Sequence, residues 1–266
     1  MRFIADHPLL FFFLFNIPFA WFWWLQIWLR VWPEQLALIP SSLGATSPIL
    51  SVWLIDKVSG SNNLAVIFQS VKEWRRVAPQ LFLAALAFPF LDVAGKALSH
   101  VMGFEAASYL RPGPAELGLS LLLIIPITFF SGLITSPLLE EPGWRGYALP
   151  RLQAMYGRNV ASLVLGSYWW LWHQMMNMAF GLQPSVTGYL SMLGQSFLID
   201  SLYLASNGVI LMAMFAHQSM FIVFNFLSDP GSPATQYISL VLLWVVVFFL
   251  RIRPALSARR NLQSDW

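Results

Sequence analysis

Eight stretches of this chain are apolar and long enough to read as membrane-crossing helices, and nothing else in the sequence limits its fold so strongly. They run roughly over Leu9–Leu29, Leu36–Ile55, Leu81–Leu98, Leu117–Leu139, Ala161–Phe180, Tyr189–Leu204, Val209–Leu227 and Tyr237–Leu250. Crossing the hydrocarbon core takes about 20 mostly apolar residues. The second stretch is interrupted by Pro40, Ser41, Ser42 and Gly44, and the sixth is short and carries Asp200. The eight fill well over half of the 266 residues, which leaves no room for a soluble domain of useful size. The expectation is an all-α, polytopic membrane protein in one domain, residues 1–266, with about eight transmembrane helices.

Composition agrees. The chain is 58% hydrophobic and 10% charged, against about 45–50% and 25% in soluble domains. It has no cysteine, so a disulfide framework, a thiolate nucleophile and a cysteine-ligated metal are excluded. A net charge of +3 reads as a topology signal facing anionic lipid, not as a nucleic-acid footprint. With the N-terminus inside, twelve of the fifteen Lys and Arg fall on the cytoplasmic side, among them Lys57, Lys72, Arg75, Arg145, Arg151 and Arg251, whereas the outer loops hold Arg30 and Arg111. Both termini are therefore expected in the cytoplasm.

The first stretch lacks a small-residue cleavage pattern and runs into Trp21, Trp23, Trp24 and Trp28, so it reads as a retained anchor. Between the second and third stretches, Leu64, Ile67, Phe68, Val71 and Trp74 recur at helical spacing, with Asn63, Gln69, Lys72, Arg75 and Arg76 on other faces. Residues 62–77 thus read as an amphipathic helix on the cytoplasmic headgroups. Leu262–Trp266 reads as a short polar tail.

Ionisable residues within apolar sequence cost about 2.5–3.5 kcal/mol or more at mid-bilayer and need partners. Asp92 and Lys96, four apart, can neutralise each other. Asp200 has no ionic partner in its own helix and is read either as a structural partner or as an orienter of a site. Glu140 and Glu141 stand side by side at the end of the fourth stretch, followed by Pro142, Gly143 and Arg145. Arg145 is four residues after Glu141, the favourable order for a helical ion pair, although Pro142 and Gly143 argue for a kink there. If that pair forms, Glu140 is left to act as a base. His173 and His217 lie on two further apolar stretches. Two histidines and a doubled glutamate suit the activation of water, with a carboxylate taking the proton and imidazoles orienting water, stabilising an oxyanion or binding a metal. Glu140, His173 and His217 with one water would also match the coordination count of catalytic zinc.

At these residues the chain resembles the CPBP family of intramembrane proteases, which includes the type II CAAX prenyl endopeptidases. The match is to its E-E-x-x-x-R motif at Glu140, Glu141 and Arg145, to an aromatic followed four residues later by histidine at Trp169 and His173, and to an intramembrane histidine at His217. About Leu117 to Leu227 carries the resemblance. It implies eight helices around a membrane-embedded cavity and peptide-bond hydrolysis by water. Glu140 with His173 would activate that water, Glu141 with Arg145 would hold the site, and His217 would contribute to an oxyanion hole. One position departs from the pattern: the family's asparagine, four residues after the third-motif histidine, is here Phe221. Asn225 and Asn177 are the candidates for the missing donor.

The leading expectation is therefore a multi-pass plasma-membrane endopeptidase acting on a membrane-anchored peptide or protein, including a prenylated CAAX-type substrate. It would use either a glutamate-activated water with no cofactor or one divalent metal such as zinc. The alternative is a catalytically weak relative that acts by binding, as an immunity or scaffold protein. A proton-coupled transporter is the third reading, and no inverted repeat supports it.

Overall fold

The structure, a computed structural model, describes residues 2–104, 108–227 and 232–263, with side chains described through Ile252. Among these residues the structure is helical and contains no strand. After a short turn at Arg2–Asp6, the principal elements are α1 (Pro8–Trp28), α2 (Leu38–Ala45), α3 (Ser47–Ser59), α4 (Asn63–Gln69) and α5 (Ala78–Val101). There follow α6 (Leu121–Gly132), α7 (Ser136–Glu141), a π-helical segment Pro142–Ala148, α8 (Leu149–Ala179), α9 (Val186–Ala205), α10 (Ile210–Ile222) and α11 (Pro233–Gln263).

All eight apolar stretches fall on helix, but they differ in how they qualify as spans. Among the described residues five helical stretches are long and apolar enough to cross a membrane, and six if α2 and α3, bent by 41°, count with their flanks as one broken span. The fourth and fifth windows lie in a single 62-residue stretch, Gly118–Ala179. At about 1.5 Å per residue that is roughly three bilayer cores long, so it must turn back on itself. It does so at Gly157, whose φ of 76° and ψ of 170° leave the helical region. Only glycine reaches that conformation without steric cost.

The break in the second window is not where the sequence suggests. Pro40 sits in the first turn of α2 and Gly44 near its end, both inside the helix, because a proline there removes an N–H that would be unpaired anyway. The chain bends instead before Pro48, in the first turn of α3. Gly44 is needed for a different reason: a Cβ there would lie 2.2 Å from the Trp24 indole nitrogen, which donates to the Ser41 carbonyl. Helix α11 continues to Gln263, so the expected tail narrows to residues 264–266, which lie outside the described residues.

Residues 62–77 are not one continuous α-helix. They form α4 and a 3₁₀ turn, Ser70–Arg75, that strap one end of the bundle. Ile67 is buried, Leu64 and Val71 pack on the core, Ser70 caps the Ile210 N–H at 3.0 Å, and Arg76 donates to the Ser206 carbonyl. Val66, Trp74, Lys72 and Arg75 remain exposed. At that same end Arg151 reaches Asn63 and Arg251 reaches Ser162. At the other end Lys96 bonds the Leu227 carbonyl, Ser99 meets Thr235 and Arg111 bonds the Phe226 carbonyl. Each of these pairs joins ends that alternation over eight spans puts on one side. Asp92 and Lys96 form the expected ion pair at 2.9 Å.

An aromatic wall holds α1, the π segment and α8 together. Trp24 packs edge-on to Trp172 at 4.5 Å, Trp172 on Trp144 at 5.4 Å, and Trp144 on Phe12 at 5.3 Å, all almost fully buried. The π segment can lie against α3 only because Gly143 has no side chain: a Cβ would stand 2.5–2.7 Å from Pro48, including its backbone. Gly143→Ala is expected to lower stability by about 1–3 kcal/mol, the cost of overpacking, and a thermal melt in detergent would register this as a lower midpoint.

Candidate active site

Two adjacent glutamates on a helix point about 100° apart, and here the i,i+4 neighbours of each decide its company. Glu140 faces Ser136 four residues before it and Trp144 four after; Glu141 faces Arg145. Helix α7 begins with Pro137 in its first turn, and Pro142 follows Glu141 without stopping the helix, which widens into the π segment. Wide turns of this kind commonly sit at functional sites. The Glu141–Arg145 ion pair forms at 3.1 Å across this change of pitch, despite the proline and glycine between them.

Glu140 is almost fully buried. Its Oε2 accepts the indole N–H of Trp169 at 3.0 Å and of Trp144 at 3.3 Å, while Oε1 accepts the hydroxyl of Ser136. Each carboxylate oxygen has two acceptor sites, so Oε2 is filled and Oε1 retains one.

Glu141, Arg145 and Asp200 are fully buried, and each charge is paired. Arg145 sends its three nitrogens to three acceptors: NH1 to Glu141 at 3.1 Å, Nε to Asp200 at 3.0 Å and NH2 to the Ser196 hydroxyl at 2.8 Å. Its guanidinium also lies 5.0 Å over the Trp169 ring. Ser196 and Asp200 are one helical turn apart on α9, so a single face of that helix grips the arginine. Asp200 therefore finds its partner on another helix, and Arg251 stands 3.9 Å from its other oxygen.

His217 donates from Nδ1 to Glu141 Oε1 at 2.6 Å, and its Nε2 is 3.5 Å from Ser136 Oγ. Phe221 stacks on its ring, centroids 5.7 Å apart and nearly parallel. The ring of Trp169 meets both histidines, His217 at 5.6 Å and His173 at 4.9 Å. His173 Nδ1 donates to the Trp169 carbonyl at 2.9 Å, which in the neutral imidazole leaves Nε2 as a lone pair, and its ring packs on Trp169, whose indole N–H reaches Glu140. The three helices thus bring Glu140, Glu141, Arg145, His173 and His217 to one place.

Asn225 and Asn177 are not in that place. Asn225 is exposed and bonds the Phe221 carbonyl, because the chain turns π-helical at Val223–Leu227 and the projected helical face is lost. Asn177 is half-buried, with no side-chain bond into the cluster. Among the described residues no group of three or more His, Asp or Glu is gathered closely enough to hold a metal as the side chains stand. Three of the four Glu140 acceptor positions are occupied by protein donors, and His217 turns one ring nitrogen to Glu141 and the other to Ser136. A cavity of about 580 Å³ lies between α5, α9, α10 and α11, bordered by Asp92, Lys96, Gln195, Met220 and Gln236. The glutamates and histidines do not line it. Residues that sequence reasoning left out of the site are Ser136, Trp144 and Ser196; each stands four residues from a charged group it serves or accompanies, a periodic signal that was there to be read.

Residues 121–227 match the family described as type II CAAX prenyl endopeptidase Rce1-like. A CAAX prenyl protease 2 from Methanococcus maripaludis is 43% identical over 49 residues, a stretch that covers 18% of this chain and 17% of that protein.

Proposed function

We propose, from the match of residues 121–227 to the type II CAAX prenyl endopeptidase family, that the protein is an intramembrane endopeptidase whose nucleophile is a water gripped by Glu140 and His173. Oε1 of Glu140 has one acceptor site to spare, and Nε2 of His173 is a lone pair. A water that donates one hydrogen to each turns its oxygen lone pair outward, toward a substrate carbonyl. Glu140 then takes the proton as that oxygen attacks and returns it to the leaving amine, the ordinary work of a general base and acid.

Glu141 and Asp200, with Arg145 between them and Arg251 3.9 Å from Asp200, form a charge-balanced support. Their charges are committed to one another, which keeps His217 in one orientation and leaves Glu140 as the carboxylate that can change protonation. The observation that carries the reading is the unequal use of the two glutamates: Glu141 is locked to a cation, whereas Glu140 is held only by neutral donors.

The substrate we propose is a membrane-associated protein or peptide, the prenylated CAAX type being the class named by the matching family. The proposed setting is a plasma membrane crossed eight times with both termini cytoplasmic, a reading supported by the basic residues and by the paired ends described above. His217 lies seven residues from the start of α10, about 10 Å along the axis at standard rise, which suits a peptide bond held just beneath a headgroup layer. The test is direct. Purified protein in liposomes should release a C-terminal fragment from a prenylated CAAX peptide, read by mass spectrometry. Failure to cleave prenylated and unprenylated peptides alike, with the protein folded, would overturn the reading.

A further inference from the structure

A tetrahedral intermediate needs a hydrogen-bond donor for its oxyanion, and a count of donors around Glu140 shows how few are available. The Nδ1–H of His173 is spent on the Trp169 carbonyl, while His217 gives its Nδ1–H to Glu141 and turns Nε2 to Ser136 Oγ. The indoles of Trp144 and Trp169 are spent on Glu140 Oε2. One turn beyond His217, where a polar side chain would face the same corner, the ring of Phe221 covers the imidazole. There remains Ser136. It is half-buried and not sealed in, its hydroxyl donates to Glu140 Oε1, and its oxygen faces His217 Nε2 at 3.5 Å.

We propose that Ser136 is a catalytic residue of this protein, its hydroxyl being the donor to the oxyanion that forms when water attacks the scissile carbonyl. The inference rests on Glu140 as the base. In the resting site Glu140 is an acceptor and holds the Ser136 hydrogen. As the water oxygen bonds to the carbonyl carbon, the carbonyl π pair moves onto its oxygen and the water proton passes to Glu140 Oε1. The glutamic acid so formed is a donor, and its O–H now bonds to Ser136 Oγ. The hydroxyl hydrogen, a free rotor, is released toward the new oxyanion. On collapse the amine leaves with the Glu140 proton, and the serine hydrogen returns to the carboxylate. Nothing is oxidised or reduced, and no proton is left over. The donor thus becomes available at the step in which negative charge develops, which is the condition for lowering the barrier more than the ground state.

Peptide cleavage by Ser136→Ala, Ser136→Thr and the double variant Ser136→Ala/Phe221→Asn tests this, with Glu140→Gln measured alongside. Removal of one oxyanion donor is worth about 10²–10³-fold in kcat, so Ser136→Ala should lose that much with KM little changed and the limbs of its pH–rate profile in place. Ser136→Thr, which keeps the hydroxyl, should retain most activity. An amide at position 221, on the same face of α10 as His217, should recover part of the loss. Cleavage by Ser136→Ala at the wild-type rate would overturn the inference. So would a loss that shifts the acid limb of the profile and is not recovered by Phe221→Asn, because Ser136 would then only orient Glu140. An acyl group found on Ser136 by mass spectrometry would also overturn it, making the serine a nucleophile. If Glu140→Gln is inactive while Ser136→Ala is not, only this inference falls; if Glu140→Gln remains active, the reading of the base itself falls.

Discussion

Glu140→Gln is expected to leave a folded protein whose peptide cleavage is slower by about 10²–10⁴-fold, the usual worth of a general base. The substitution is nearly isosteric, and the site can accommodate it. The Gln carbonyl oxygen can accept the two indole N–H groups that now reach Oε2, and its amide can donate to the Ser136 oxygen. What is lost is the ability to take a proton. Thermal melting should therefore change little while single-turnover cleavage collapses, and KM should hold because the substrate-facing surface is unaltered. Equal activity in the variant would remove the catalytic assignment of Glu140.

Arg145→Ala should do the reverse and act first on folding. It strips one cation from two fully buried carboxylates, Glu141 and Asp200, and opens a void beneath Trp169. Loss of one partner of a buried ion pair costs about 3–5 kcal/mol, which is comparable to the whole stability of many domains. The measurement is the yield of monodisperse protein in detergent and its melting midpoint, both expected to fall steeply. Arg145→Lys should rescue only part of this. A single ammonium cannot serve three acceptors spread along a planar fork, here Glu141, Asp200 and Ser196. A stable, fully active lysine variant would contradict the three-way clamp.

These two variants separate roles that adjacent positions in the chain conceal. Glu140 and Glu141 are chemically identical, and sequence spacing supplied the first hint of their division of labour, through Arg145 four residues on. Its limits are just as instructive. The i,i+4 rule holds within a helix, so it found Arg145 for Glu141 and Lys96 for Asp92. It could not find Asp200 for Arg145, or His217 for Glu141, because those bonds cross between helices 55 and 76 residues apart in sequence. It failed for Asn225, since periodicity assumes an unbroken α-helix and the chain is π-helical from Val223.

What the sequence determined by itself is the environment and the element type. Apolar windows of this length can satisfy their backbone only as helices in a bilayer, and the scarce charged groups among them had to find one another or water. The bends of the second window and of Gly118–Ala179, the clamp of α9 on Arg145, the exclusion of Asn225 and the place of Ser136 were decided only in three dimensions. A hydrogen bond between distant helices depends on how they cross and rotate. That is set by the summed packing of many side chains, such as Gly44 beneath Trp24 and Gly143 against Pro48, not by the residues that make the bond.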